Sequence, residues 1–342
     1  IVFSNNSFDN SSLALYSSML RIGNQSFSED FLKYDPVNLS IPIVLSPSTE
    51  ISLRLKSAHK AYELGLFNYE SLSALYQSVD FTSKQINNVQ DSLNEFSSKN
   101  EMIMALLFQS SRVQILPITR LESLNEFWKF SIRVGYEKLA YDVSRNLIES
   151  IEPSTELADY SLMLAKAHIY NKNFIQAEKW IIFSENYQSS SDSFNKELKD
   201  IKFLFDLKKS LNKEEFISVL EENLINKENY NSSSSQYNEN IKTIFDIILK
   251  NNNLDFEIEN EKKVFDDRLM PSIYMIKNIE KSVHEGKVGE LILNCLVSLS
   301  EKSWNDIHPE HLKIILESLI DLNLDDLFKD VIIEIFEESK II

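Results

Sequence analysis

The stretch "LAKAHIYNKNFIQAEKW", Leu164 to Trp180, decides the fold. Small residues stand at Ala165 and Ala177, an aromatic at Phe174, and the polar break "NKN" at 171–173 separates two apolar faces. Small side chains facing each other let two helices approach closely, so the stretch predicts an antiparallel helical hairpin turned at "NKN". Asn173 and Gln176 have the spacing of a capping box, which starts the second helix. What remains is whether this is one hairpin or a member of an array.

Outward from it, the apolar residues keep a 3.6-residue period from about Ser52 onward, interrupted at regular places. Strong breakers fall near residues 81, 117, 153, 190, 230, 270 and 307. Weaker breaks fall between them, at Gly65, Asn100, Gly135, Lys172, Ser210, Asn252, Gly286 and Asn323. Both series share a spacing of about 36 residues, the mark of stacked helical hairpins. Helix-start residues recur with them. Ser154 is placed to cap a helix with Glu156 in its first turn, and Asp306 or His308 precedes Pro309, which suits a first helical turn.

Residues 1–50 read differently. "LALYSSMLRI", 13–22, suits one short amphipathic helix. "YDPVNLSIPIVLSPSTE", 34–50, carries Pro36, Pro42 and Pro47, a spacing that predicts an extended arm and excludes a long helix. "IPIVL" is too apolar for a free linker and should pack. The expected organisation is an all-α protein: an extended, proline-containing arm over 1–50, then a right-handed α-solenoid of seven or eight hairpins over 51–342. The chain opens on Ile1 and closes on "EESKII", which reads as a piece of a longer polypeptide or as an apolar tip, Ile341 and Ile342, that contacts a partner.

The opening stretch resembles a tetratricopeptide repeat. Leu164, Ala165 and His168 stand at the large, small and bulky places of that family's first helix. Phe174, Ala177, Ile181 and Ser184 match the aromatic, small, apolar and small places of its second. The preceding module, "FWKFSIRVGYEKLAYDVSRNLIESIEP", keeps Gly135 at the turn and Ala140 at the small place, but has Glu137 where the aromatic belongs. The family's terminal proline is absent after Ser184. The likeness in residues covers about 35 positions; elsewhere it is one of length and pattern, and a related hairpin array fits equally. It implies a solenoid that binds other proteins. "LRLKSAHKAYELGLFNYESLSALYQSVDF", 53–81, is also similar to a stretch in large uncharacterised alphaproteobacterial helical-repeat proteins, which carries no activity with it.

Composition narrows the function classes. Five glycines in 342 residues leave little for tight hairpins or phosphate-cradling loops. The net charge is −17, and residues 251–342 hold 20 acidic and 10 basic side chains. Such a surface repels phosphates, so the expected partner is a protein, a basic one for preference, and not nucleic acid. No apolar run reaches the ~20 residues of a membrane span. The compartment stays open between bacterial cytoplasm and periplasm, since one cysteine, Cys295, on an apolar helix face reads as a small hydrophobe.

The chemistry-bearing residues are sparse. "HPEH", His308 to His311, puts two histidines on one helix face, but zinc needs three or four ligands and no second pair exists. His168 and His59 fall on apolar faces and read as core or groove; His284 falls at a turn. Glu122-Ser123 and Glu149-Ser150 resemble the catalytic dipeptide of lytic transglycosylases but lack its Gly-rich, aromatic-flanked context. Asp325-Asp326 and Glu337-Glu338 are neighbours in sequence, point about 100° apart on a helix, and read as solvated charge. Five N-x-S sequons are what an Asn- and Ser-rich chain produces. Trp128, Trp180 and the many Phe and Tyr belong to a core or a groove. No catalytic, cofactor or metal residue is expected. The reading is a non-enzymatic scaffold or assembly subunit, binding through its groove or an open C-terminal face, with self-assembly through the arm a further option. The alternative is a superhelical accessory module of an envelope enzyme such as a lytic transglycosylase.

Overall fold

The computed structural model describes residues 10–187, 191–220, 222, 235–251, 266–300 and 302–339. Every regular element among them is helical. Packing divides the chain into two compact units, residues 1–188 and 189–342. The division falls inside the stretch expected to be one array, and residues 10–50 belong to the first unit.

Unit 1 begins with α1 (Asn10–Ile22), α2 (Glu29–Tyr34) and α3 (Pro36–Val44). The extended arm expected over 1–50 is therefore corrected: its described part is three helices. The prolines allow this because each removes a hydrogen bond only upstream of itself. Pro36 is in the first turn of α3, where its missing N–H has no helical partner, and Asp35 caps that turn by accepting from Asn38 N at 3.2 Å. Pro42 falls in the last turn. Burial then outweighs the weak local propensity. Leu13, Phe27, Phe31, Leu32, Leu39 and Ile43 form a core with Tyr16, Leu20 and Leu53 packed on it. Phe31 stacks on Tyr16 at 5.7 Å and meets Phe27 edge-on at 5.4 Å.

The unit continues through α4 (Ile51–Glu63), α5 (Tyr69–Gln77), the short α6 (Ser83–Asn87) and α7 (Val89–Leu93), then α8 (Asn100–Val113), α9 (Pro117–Arg133), α10 (Glu137–Ile148), α11 (Ser161–Tyr170) and α12 (Phe174–Asn186). Consecutive helices pack in order: α3 on α4, α8 on α9, α10 on α11, α11 on α12; α5 also meets α10. Thr82 and Gln85 make a full capping box that starts α6. Ser154 makes no cap bond. A 3₁₀ turn, Thr155–Tyr160, intervenes and buries Leu157 and Ala158, so α11 starts at Ser161. Asn173 does cap α12, accepting from Gln176 N at 3.3 Å, while the Gln176 amide reaches Glu152 instead of closing the box.

Unit 2 holds α13 (Asp192–Lys209), α14 (Lys213–Leu220), α15 (Ser235–Asn251), α16 (Ile273–His284), α17 (Val288–Leu299), α18 (Pro309–Asp321) and α19 (Asp325–Glu338). Its order of packing is only partly sequential: α13 meets α14, α16 meets α17 and α18 meets α19, but other pairs are distant in the chain. α15 lies on α18, and α14 packs on α19, which α13 also reaches through its side chains. Phe203 meets Phe336 at 6.4 Å, Lys208 pairs with Glu337 at 2.9 Å, and Lys329 donates to the Ser210 carbonyl at 3.4 Å. Phe328, Ile332, Ile335 and Phe336 are buried as a result, so this stretch of the expected open C-terminal face is covered.

One local device recurs in both units. Gly65, Gly135, Lys172, Gly286 and Asn323 have φ of 68°, 85°, 56°, 66° and 54°. At each, the following N–H closes a six-residue loop to a carbonyl of the last helical turn at 2.8–2.9 Å: Leu66 to Ala61, Tyr136 to Ser131, Asn173 to His168, Lys287 to Ser282, Leu324 to Leu319. This is the Schellman stop, which satisfies carbonyls the helix leaves orphaned. A sixth stands at Asn24 (φ 48°), where Gln25 N reaches Leu20 O. A Cβ at Gly135 would meet nothing within 4 Å, so glycine serves there for its backbone freedom, not for room. The breaks at Asn100 and Ser210 are made without positive φ, and Asn252 lies outside the described residues.

Candidate functional site

The repeat-signature residues come together in the α11–α12 hairpin. Leu164, Ala165, His168, Ala177, Ile181 and Ser184 are buried and Phe174 is half-buried. Ser184 donates to the Trp180 carbonyl, and Trp180 is fully enclosed. Their position serves packing. His168 illustrates it: burial pulls its imidazole down to about 4 against a small opposing pull from Glu152, so it is neutral at pH 7.

The richest polar constellation lies elsewhere in unit 1, where α4, α5 and the start of α10 converge. His59 is fully buried on α4; its Nε2 is 2.7 Å from the Tyr76 hydroxyl, and the Tyr136 ring meets it edge-on at 4.7 Å. Burial drives His59 down to about 3, and pushes Tyr136 up to about 12 with help from Glu63 and Glu101. One turn further along α4, Tyr62 donates a short hydrogen bond to Asp142 on α10. Burial, then Asp142, raises the Tyr62 phenol well above its ordinary value, so it stays a donor at neutral pH. Arg145 lies 3.7 Å from Asp142 and stacks over Tyr69, with its carbon 4.5 Å from the ring centre. Chemically this is a phenol pinned to a carboxylate beside a stacked guanidinium. It ties three helices across 80 residues of sequence. Sequence reading missed it, apart from His59, because Tyr62, Tyr69, Asp142 and Arg145 are ordinary amphipathic-helix residues one at a time. Only their convergence in space is informative.

The remaining candidates are dispersed. His308 caps α18, its Nδ1 accepting from Glu310 N at 3.1 Å, with Pro309 in the first turn. His311 points inward, its Nε2 2.9 Å from the Ser298 hydroxyl. The two rings of "HPEH" thus serve different neighbours, and no group of three His, Cys, Asp or Glu among the described residues could hold a metal. Cys295 is buried, which raises its thiol to about 11. Glu122 is exposed, while Ser123 donates to the Thr119 carbonyl; Glu149 and Ser150 are exposed at the end of α10. Glu337 and Glu338 correct the reading as solvated charge. Glu337 pairs with Lys208, and Glu338 accepts from Ser303 and from Trp304 N at 3.1 Å, anchoring the turn before α18. They face different partners because adjacent helical residues diverge. Trp128 and Trp180 are core, with Trp128 donating to Ser144 at 3.0 Å. Ile341 and Ile342 lie outside the described residues.

Exposed large apolar side chains concentrate on the α16–α17 hairpin. Leu293 (61% exposed), Leu296 (62%) and Val297 (51%) line the face of α17 opposite buried Leu291 and Cys295. Ile273 (73%) and Tyr274 (74%) begin α16, and antiparallel pairing about Gly286 brings that end alongside the end of α17. No helix among the described residues is long and apolar enough to cross a membrane. Comparison with family models, with curated proteins and with solved structures finds no match.

Proposed function

We propose that this chain is a non-enzymatic protein-binding scaffold made of helical hairpins with a repeat of about 36 residues, related in design to tetratricopeptide arrays. The recurrent Schellman turns at 24, 65, 135, 172, 286 and 323 support the repeat, since their spacings are close to one or more multiples of that length. The in-order packing of unit 1 supports a solenoid there; the closure of unit 2 departs from one. The polar groups with the most chemistry, His59, Tyr62, Asp142 and Arg145, are spent on holding helices together.

The observation that carries the reading is the exposed apolar face of α17. Exposed leucine and valine in a row at i, i+3 and i+4 form a contiguous strip of the kind that docking surfaces use. The chain's charge of −17 favours a basic partner around that strip. The test is affinity purification of the full chain beside L293E/L296E, with circular dichroism as the fold control. A partner that follows the parent chain and is lost from the folded variant supports the reading. An identical set of co-purifying proteins, or light scattering that shows the strip only mediates non-specific association, sinks it.

A further inference from the structure

We propose that unit 1 carries an acid-sensitive packing device, in which protonation of His59 and His168 opens the helix contacts these two rings complete. The geometry sets up the conflict. A neutral imidazole has one donor and one acceptor nitrogen, whereas imidazolium has two donors and needs two acceptors. His59 has one hydrogen-bond partner, the Tyr76 hydroxyl at 2.7 Å, and its buried Nδ1 has none among the described residues. His168 has a buried Nε2 without a partner among the described residues. Each ring sits where helices meet, His59 between α4, α5 and the turn before α10, and His168 at the turn end of the α11–α12 hairpin.

The groups facing the two rings do not rescue the cation. Around His59 stand the phenols of Tyr76 on α5 and Tyr136 before α10. Glu101, on α8, acts on both phenols, and Glu63, on α4 itself, acts on Tyr136 and is paired with Lys60 at 3.0 Å. None of these carboxylates bonds the imidazole. Facing His168 is Glu152, whose oxygens are taken by Gln176 on α12 and by Lys179 on α12, each at 3.1 Å. On α11 itself Lys166 adds a cation, bound to Glu137 at 2.9 Å.

The direction follows from linkage. Folding lowers both imidazoles below their ordinary value of 6.5, so the opened state binds more protons. Stability is complete above that value and falls as pH drops through it. Each proton raises the opening constant of its own helix contacts by up to roughly tenfold per pH unit below about pH 6. The salt-bridged Glu29, Glu50 and Glu152 are held below their ordinary value, so they take up protons in the fold below the window from pH 6.5 to 5.

The experiment is amide hydrogen exchange of the full chain, read peptide by peptide at pH 6.5 and pH 5.0 and corrected for intrinsic rates. Protection in α4, α5, α11 and α12 should fall at least tenfold. His59→Gln should abolish the fall in α4 and α5, and His168→Gln the fall in α11 and α12. Unchanged protection in the parent chain, or the same fall in folded variants, overturns the proposal. Should a glutamine variant not fold, proton NMR of the parent's imidazoles decides. Titration of the His59 and His168 rings near their ordinary value with the fold intact overturns the proposal; absence of titration until unit 1 opens supports it.

Discussion

Units 1 and 2 use the same part and assemble it differently. Both stop helices with a left-handed residue and return the chain as an antiparallel partner, as at Gly135 in one and Gly286 in the other. In unit 1 the helices then pack largely in chain order. In unit 2 the chain returns on itself, and α19 fills the surface that α13 and α14 leave open, Phe336 against Phe203. The polar contacts differ in kind as well. Unit 1 buries His59, Tyr76 and Asp142 where its helices meet, whereas unit 2 ties its segments with half-buried Lys208, Lys329 and Glu338. Local hairpin chemistry therefore leaves the order of assembly open, and the choice is made by which apolar faces find one another.

The largest effect to expect from testing that difference is at Phe336. Phe336→Ala should cost about 3–5 kcal/mol, as for a fully buried aromatic. In a closed unit, hydrogen exchange should quicken in α13 and α14 as well as in α19. Faster exchange confined to α18 and α19 would mean that unit 2 packs by nearest neighbours after all.

In unit 1 the corresponding stress is Ala177→Leu. Ala177 is fully buried against α11, so the added bulk must separate the hairpin, at about 1–3 kcal/mol. A thermal melt read at buried Trp180 should register the loss, and an unchanged melt would place Ala177 off the contact assigned to it.

The smallest effect sharpens the feature that the units share. Lys172 holds a left-handed conformation where Gly135 and Gly286 have glycine. Lys172→Gly should therefore stabilise unit 1 by about 0.5–1 kcal/mol, relief of the Cβ clash outweighing the added chain entropy. Asn323→Gly should give less, since asparagine tolerates that region. Equal gains at both positions in chemical denaturation would show that the two turns are not strained as their residues imply.

The sequence alone determined that the chain is helical, where most hairpins turn, and which residues of 164–184 pack inside. These are local properties. Helical period, glycine scarcity and stop signals act over a few residues and are legible without a partner. Residues 34–44 depart from the local expectation for the same reason: prolines speak only for local cost, and the burial of Phe31, Leu39 and Ile43 that offsets it is a tertiary fact. The convergence of Tyr62, Asp142 and Arg145, the inward turn of His311, and the return of α19 onto α13 and α14 were decided only in three dimensions. Each depends on pairing between segments whose sequences carry no mark of one another, because apolar faces attract by area and not by address.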